Sequence, residues 1–172
     1  MVLRLLRMNP AQKACSLLFC LVVLAAWPSR AAEVGDSIPE FTFRAFDGSQ
    51  ASRASVAGRP VVLVFWNTWC PNCMKELPQV KRLHEQYGPK GVVFLAVNTA
   101  LNDSESRARA YWEKAGFAFQ GGFDRYFEIG QAFGVFAVPT VFLVDAEGVV
   151  LYKQARLPED IEQRLGLLTH RD

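Results

Sequence analysis

The chain has few of the side chains that bind metal ions. Its 172 residues include four cysteines and two histidines. Cys15 and Cys20 lie in an N-terminal segment, and His84 and His170 stand alone in the sequence. A structural zinc site needs about four cysteine or histidine ligands, usually in two pairs. This composition disfavours a structural zinc site, and we expect no metal and no other cofactor.

Basic residues are also scarce outside the N-terminal segment. The chain has 19 basic and 17 acidic residues. Residues 1–31 contain no acid and four of the basic residues, which are Arg4, Arg7, Lys13 and Arg30. The rest of the chain therefore has 15 basic against 17 acidic residues, a net charge of −2. It has no basic patch with interleaved aromatic residues, so we expect no nucleic-acid partner.

The N-terminal segment lacks an apolar run of the length that usually spans a membrane. Its run, residues 14–27, has 14 residues, whereas a transmembrane helix needs about 20. Basic residues precede the run, and Ser29 and Ala31 are small residues at the positions that a signal peptidase reads. We predict a signal peptide over residues 1–31, with retention as a membrane anchor as the alternative. Cleavage would remove Cys15 and Cys20 and leave two cysteines in an oxidising compartment.

The chain is long enough for one domain with its own core and too short for two domains and a leader. We place this domain at residues 34–168. Predicted strands cover residues 41–45, 49–52, 61–66, 92–97, 117–123, 141–144 and 149–152. Predicted helices begin near residues 70, 102, 126 and 158, and residues 55–59 are predicted as a loop. Strands that alternate with helices and end in a hairpin indicate an α/β fold with a mixed sheet between helices.

The two remaining cysteines lie between a predicted strand and a predicted helix. Residues 61–66 are apolar without interruption, which is typical of a central strand covered on both faces. Residues 74–87 have apolar side chains at helical spacing. Cys70 is therefore predicted at a helix N-terminus, where unpaired amides and the helix dipole favour a thiolate. Cys73, one turn further on, is close enough to resolve a mixed disulfide. A purely structural bridge is disfavoured, because closing so short a loop removes little chain entropy.

These residues also carry a family resemblance. Trp69-Cys70-Pro71-Asn72-Cys73 resembles the W-C-x-x-C active site of thioredoxin-fold proteins, and Val138-Pro139-Thr140 resembles their cis-proline loop. Further matches to the TlpA/ResA-like branch are Pro39-Glu40-Phe41-Thr42, Asp47-Gly48, Gly58-Arg59-Pro60 and Glu76-Leu77-Pro78. The resemblance covers about residues 34–165. It implies a thioredoxin-like fold with a central mixed sheet flanked by helices, an N-terminal β-hairpin and a central helix–strand insertion.

The resemblance also implies roles for individual residues. Cys70 would be the exposed attacking sulfur and Cys73 the resolving one. The backbone of Val138, before a cis Pro139, would pair with the substrate chain. From the sequence alone we would expect an ordinary trans bond there, because cis X-Pro bonds are only about 5% of such bonds in folded proteins. Trp69 is expected to shield the site, with simple packing as the alternative.

A proton acceptor for Cys73 is less obvious. Thioredoxins have a buried aspartate six residues before the first cysteine, and this chain has Val64 there. The TlpA-like branch has a glutamate that tunes the cysteine pKa values, and Glu76 matches it. Glu76 lies three residues after Cys73, on the same helix face. We predict that Glu76 relays the proton; the alternative is a solvated glutamate paired with Lys75 or another neighbour.

The predicted function is an extracytoplasmic, periplasmic thiol–disulfide oxidoreductase. We expect a monomer. By resemblance, it would reduce disulfides in exported proteins, as in cytochrome c maturation or metal-site assembly. A membrane-embedded electron donor would then re-reduce it. Thr140 stands where the cytochrome-maturation subgroup often has a glutamate, which weakens a dedicated haem role. Pro71-Asn72 between the cysteines leaves the direction of electron flow open.

Four alternatives remain open, the last of which is a non-enzymatic interaction domain that would tolerate loss of either cysteine. One is an oxidant that introduces disulfides. The second is a peroxiredoxin-like peroxidase, which needs a threonine where this chain has Asn67. The third is a copper-binding assembly factor, which would need a third soft or imidazole ligand near the cysteines. His84 is expected to be a surface or boundary histidine.

Overall fold

The computed structural model describes residues 31–170. Its strands are β1 Thr42–Arg44, β2 Gln50–Ser52, β3 Val61–Trp66, β4 Val93–Asn98, β5 Gln120–Phe123, β6 Thr140–Val144 and β7 Val150–Gln154. Its helices are α1 Arg53–Val56, α2 Pro71–Tyr87, α3 Glu105–Ala115, α4 Glu128–Ala132 and α5 Ile161–Thr169, and a 3₁₀ turn, Gly88–Lys90, follows α2. The predicted signal peptide, apart from Ala31, lies outside the described residues. Within them, no helix has the length and apolar character needed to cross a bilayer.

Five strands form one mixed sheet in the order β5-β4-β3-β6-β7. Strands β3, β4 and β5 run parallel, whereas β6 is antiparallel to β3 and β7 is antiparallel to β6. Strands β1 and β2 form a separate antiparallel hairpin. The predicted mixed sheet, N-terminal hairpin and helix–strand insertion, which is α3 and β5, are confirmed.

Both faces of the central strand β3 are buried. Val62, Val64 and Trp66 pack on the side of α2, α3 and α5. Val61, Leu63 and Phe65 pack against the hairpin, α1 and α4. All six side chains are at most 2% exposed. Each large apolar side chain buried in this way stabilises the fold by about 1.5–3 kcal/mol, so β3 is a rigid support for the residues that follow it.

Among the local predictions that differ from the structure, two have a clear physical cause. The predicted loop at residues 55–59 overlaps a short helix, α1, which begins earlier because Ser52 and Ser55 form a reciprocal capping box. The last helix begins at Ile161 and not at Pro158, because the Pro158 carbonyl accepts the amide of Ile161 in a turn before the helix. Neither change affects the position of the cysteines.

Candidate active site

The two cysteines lie at the start of α2, directly after the turn that ends β3. Cys70 is the N-cap of α2 and Pro71 its first helical residue. The Cys73 amide donates to Cys70 Sγ over 3.1 Å. The two cysteines form a disulfide, with Cα atoms 5.3 Å apart. A backbone donor and the positive end of a helix dipole thus meet at the sulfur that we predicted to attack.

The expectation of an exposed Cys70 sulfur is wrong for this disulfide form. Cys70 is only 3% exposed and Cys73 is fully buried. The cause is the loop before β6, which lies against the cysteines. Its Val138 carbonyl oxygen is 3.5 Å from Cys70 Sγ. A disulfide sulfur has no proton to donate, so this approach is a packing contact and not a hydrogen bond.

The loop before β6 contains the predicted cis-proline. The Val138–Pro139 peptide bond is cis, as the family resemblance implied. Sheet register explains why the loop faces the cysteines. Thr140, the first residue of β6, pairs with Phe65 near the end of β3. Because β3 and β6 are antiparallel, the start of one strand lies beside the end of the other, and the loop meets the Cys70 turn at that edge.

Comparison with known proteins agrees with this arrangement. A family model described as Redoxin matches residues 33–163. The chain belongs to the Redoxin family. ResA, a thiol-disulfide oxidoreductase of Geobacillus thermodenitrificans, is 33% identical over 137 residues, which are 78% of each chain. A putative thiol:disulfide interchange protein DsbE from Chlorobium tepidum has a similar structure, with a TM-score of 0.71 and 27% identity over 81% of this chain and 99% of that chain.

The family membership and the cysteine geometry together define the activity. The chain is a ResA-type thiol–disulfide oxidoreductase with a Cys70–Cys73 pair. The structure of a putative thioredoxin from Neisseria meningitidis, also 27% identical, has a TM-score of 0.71 over 80% of this chain. The thioredoxin-like fold that the resemblance implied is therefore confirmed.

Trp69 lies at the surface of this Redoxin-family site. Its side chain is half exposed, and its indole nitrogen donates to the Leu101 carbonyl over 2.8 Å. This bond ties the ring to the segment that follows β4. The expected shielding of the site by Trp69 stays a prediction.

Glu76 is partly buried, but its hydrogen bond is to a distant part of the chain. Its Oε2 accepts the Leu157 amide over 3.0 Å, which ties α2 to the connection between β7 and α5. The described hydrogen bonds and ion pairs include none between Glu76 and Lys75. They include none between Glu76 and a cysteine either. The proton-relay role of Glu76 stays a prediction.

A buried polar cluster behind the cysteines was not expected from the sequence. Asn67 and Asn98, which follow β3 and end β4, are fully buried. Asn67 Nδ2 donates to Asn98 Oδ1 over 3.2 Å, and Thr99 Oγ1 donates to Asn67 Oδ1 over 2.7 Å. Asn98 Nδ2 donates to Asp103 over 2.8 Å. Because β3 and β4 are parallel neighbours, the polar residues at their carboxyl ends lie side by side. The polar residues that end each apolar run were the feature of the sequence that could have indicated this cluster.

Asp103 also holds the turn that carries the cysteines. Its Oδ2 accepts the Thr68 amide over 2.6 Å, and its Oδ1 accepts the Thr68 hydroxyl over 2.7 Å. Burial alone would raise the pKa of Asp103, but the hydrogen bonds from Asn98, Thr68 and Ser104 outweigh it and hold the pKa below its usual value. Asp103 is therefore ionised, and it holds Thr68, which lies two residues before Cys70.

His84 is a boundary residue of α2, as expected. Its ring lies against Phe94 and Phe119, with ring centres 5.5 and 5.6 Å away, and burial lowers the pKa of His84. Across residues 31–170, no group of three or more histidine, cysteine, aspartate or glutamate side chains is arranged to hold a metal ion.

Proposed function

We propose that this oxidoreductase reduces disulfides in exported proteins outside the cytoplasm. The observation that carries the proposal is the Cys70–Cys73 disulfide at the start of α2, beside the Val138 carbonyl. This pair can accept two electrons from a donor and pass them to a target disulfide.

The mechanism begins with the reduced pair. The Cys70 thiolate attacks one sulfur of the target disulfide, and the other target sulfur leaves as a thiolate. Cys73, after losing its proton, then attacks Cys70 Sγ in the mixed disulfide. The second target sulfur leaves, and the Cys70–Cys73 disulfide closes. Two electrons have then moved from the enzyme to the target, and the two target thiolates take up the proton lost by Cys73 and one proton from solvent.

The substrate surface would lie around Val138. In this proposal, the backbone of Val138 pairs with the target chain and brings its disulfide to Cys70. Each of the two segments that meet here has an exposed aromatic residue, since Trp69, next to Cys70, is 51% exposed and Phe136, two residues before Val138, is 92% exposed. Exposed apolar side chains of this size are typical of protein-binding surfaces. The surface therefore favours a protein as the substrate over a small thiol.

The environment of Cys70 favours a reductant. Strong disulfide oxidants have a strongly stabilised thiolate, which makes their reduced form favourable. Here the Cys73 amide donates to Cys70 Sγ. In the described part of the chain, no lysine, arginine or histidine side chain hydrogen-bonds to either cysteine. Modest thiolate support of this kind is consistent with a low reduction potential, which supports the reducing direction of the proposal.

The location and the electron supply are part of the same proposal. Residues 1–31 have the charge and hydrophobicity pattern of an export signal. A reductant in an oxidising compartment needs a continuous source of electrons. We assign that supply to a membrane-embedded donor that reduces the Cys70–Cys73 disulfide.

The peroxidase alternative has less support. Asn67 stands where a peroxidase of this superfamily needs a threonine. Its amide is fully buried and is bonded to Asn98 and Thr99. It is therefore already hydrogen-bonded within the protein and does not face a peroxide.

The decisive experiment is the reduction potential of the Cys70–Cys73 couple, measured by equilibration in defined thiol buffers. A value near about −270 mV, as in thioredoxin, supports a reductant. A value near about −120 mV, as in a strong oxidant, would overturn the proposed direction. A Cys73→Ser variant is the matched control, because it cannot form the couple and must show no such transition.

A further inference from the structure

The loop after β4, residues 99–104, contacts every residue of the turn that precedes Cys70. Thr99 donates to the Asn67 side chain, Trp69 donates to the Leu101 carbonyl, and Thr68 donates twice to Asp103. The two segments are 32 to 35 residues apart in the sequence. The loop therefore fixes the position of the turn from outside the W-C-x-x-C motif.

Asp103 makes the strongest of these contacts. Its side chain has no exposed surface, and it accepts the Thr68 amide, the Thr68 hydroxyl, the Asn98 amide group and the Ser104 amide. Arg107 Nε lies 3.4 Å from Oδ1 and balances the charge. Hydrogen bonds to an ionised carboxylate are shorter and stronger than neutral ones, so Thr68 has little freedom to move.

The loop has an unfavourable backbone that its contacts maintain. Ala100 and Asn102 have φ values of +62° and +52°, in the left-handed region that residues with a Cβ rarely adopt. The Asn98 side chain accepts the Ala100 amide over 3.0 Å. Such conformations persist only where the surroundings enforce them, and they cluster at functional sites. Here they bring Leu101 and Asp103 to the cysteine turn.

We propose that Asp103 is a positioning residue of the redox centre. It holds Thr68, and through Thr68 it keeps Cys70 Sγ at the Cys73 amide and beside the Val138 carbonyl. Loss of this restraint lets the turn shift, and Cys70 loses the donor that favours its thiolate. This inference rests on the thiol–disulfide activity and not on the direction of electron flow, so a failure of the proposed direction would leave it standing.

The test compares three variants with a matched control in the full-length reduced protein. Asp103→Ala removes the restraint, Asp103→Asn keeps an acceptor for the Thr68 amide, and Thr68→Val removes only the hydroxyl bond. The control is Asp124→Asn, since Asp124 is also buried and accepts a backbone amide, from Gly130, but does not contact the turn. The readout is the rate of Cys70 alkylation by iodoacetamide against pH, assigned to Cys70 by mass spectrometry.

We expect Asp103→Ala to slow Cys70 alkylation at pH 7 by about tenfold, because a small misplacement of a reacting group has effects of this size or larger. The midpoint of its pH profile should lie above that of Asp103→Asn, which removes the same negative charge but keeps an acceptor for the Thr68 amide. Asp103→Asn should recover most of the rate, Thr68→Val should lie between them, and Asp124→Asn should match the wild type. A purely structural role would lower the melting temperature of Asp103→Ala but leave the midpoint of the folded protein equal to that of Asp103→Asn.

Three results would overturn the proposal. The first is a wild-type rate and midpoint in folded Asp103→Ala. The second is an equal loss in Asp124→Asn, which would indicate general destabilisation. The third applies if Asp103→Ala does not fold. Wild-type alkylation in both Asp103→Asn and Thr68→Val would then show that the restraint has no effect on Cys70.

Discussion

Helices α2 and α3 start in nearly the same way, yet only one start is reactive. Both follow neighbouring parallel strands. In each, the N-cap side chain accepts the amide of the third helical residue, over 3.1 Å at Cys70 and 3.3 Å at Ser104. The first turn of α3 contains Glu105, whereas the first turn of α2 has no acidic residue and starts with Pro71. The Glu105 carboxylate lies at the positive end of the α3 dipole, whereas the Cys70 sulfur lies at the positive end of the α2 dipole.

This difference has an energetic consequence. Serine is among the best N-cap residues, whereas sulfur is a weak hydrogen-bond acceptor. Helix α2 therefore lacks a good cap, and its stability comes from packing. It is 17 residues long and buries Cys73, Leu77, Val80, Leu83 and Tyr87. Because α2 is well packed, it tolerates a weak cap, and its start can hold the two reactive cysteines.

The largest effect on activity is expected when the N-cap of α2, Cys70, is replaced by serine, the N-cap residue of α3. Cys70→Ser should reduce disulfide reduction to the background rate, because the attacking thiolate is gone. Its stability should equal or exceed that of the reduced wild type, since serine caps well. Disulfide-reduction assays and thermal denaturation under reducing conditions measure the two quantities. Retained activity would show that Cys73 is the attacking residue.

Cys73→Ser should separate the two chemical steps. The Cys73 amide that supports Cys70 Sγ is unchanged, so the first attack proceeds, but nothing resolves the mixed disulfide. Targets should accumulate covalently on Cys70 and be released by dithiothreitol, as seen by non-reducing electrophoresis. A Cys70→Ser/Cys73→Ser control should trap nothing, which excludes Cys15 and Cys20. If trapping on Cys70 requires Cys73, the two roles are reversed.

Local patterns were sufficient to predict most of the fold. The unbroken apolar run of β3, the helical spacing in α2 and the hairpin of β6 and β7 each follow from a few adjacent residues, and all are confirmed. The cis bond at Pro139 is different. It came from the family resemblance, because no local rule separates a cis from a trans X-Pro bond in a single sequence.

The parts that were missed depend on contacts between distant residues. Burial of Cys70 depends on Val138, 68 residues away, and the position of the cysteine turn depends on Asp103, 35 residues from Thr68. From the sequence, Asp103 was placed only near the start of a predicted helix. Its interaction with Thr68 requires knowing that β3 and β4 are parallel neighbours, and periodicity does not give the order of strands in a sheet.

A smaller effect on Cys70 is expected when the first turn of α2 receives a glutamate, as the first turn of α3 has in Glu105. Asn72, in the first turn of α2, is exposed, so Asn72→Glu adds a carboxylate without burying it. The charge should stabilise the thiol form and raise the pKa of Cys70 by up to about 0.7 units, since charges at helix ends contribute about 0.3–1 kcal/mol.

The matched variant Asn72→Lys should lower the pKa of Cys70. Alkylation of Cys70 against pH measures both shifts, and high salt should reduce the difference between the two variants. Identical midpoints in the Glu and Lys variants would mean that the helix start does not control Cys70 electrostatically.

The smallest effect on activity is expected at the start of α3. Ser104→Ala removes a hydroxyl cap and should lower the free energy of unfolding by about 1 kcal/mol. The Ser104 amide, which donates to Asp103, is retained, so Cys70 alkylation should be unchanged. Ser104→Asp, another good cap, should restore the stability in denaturant titrations. If Ser104→Ala also slowed Cys70, the cap of α3 would belong to the redox centre, and the two helix starts would not be functionally distinct.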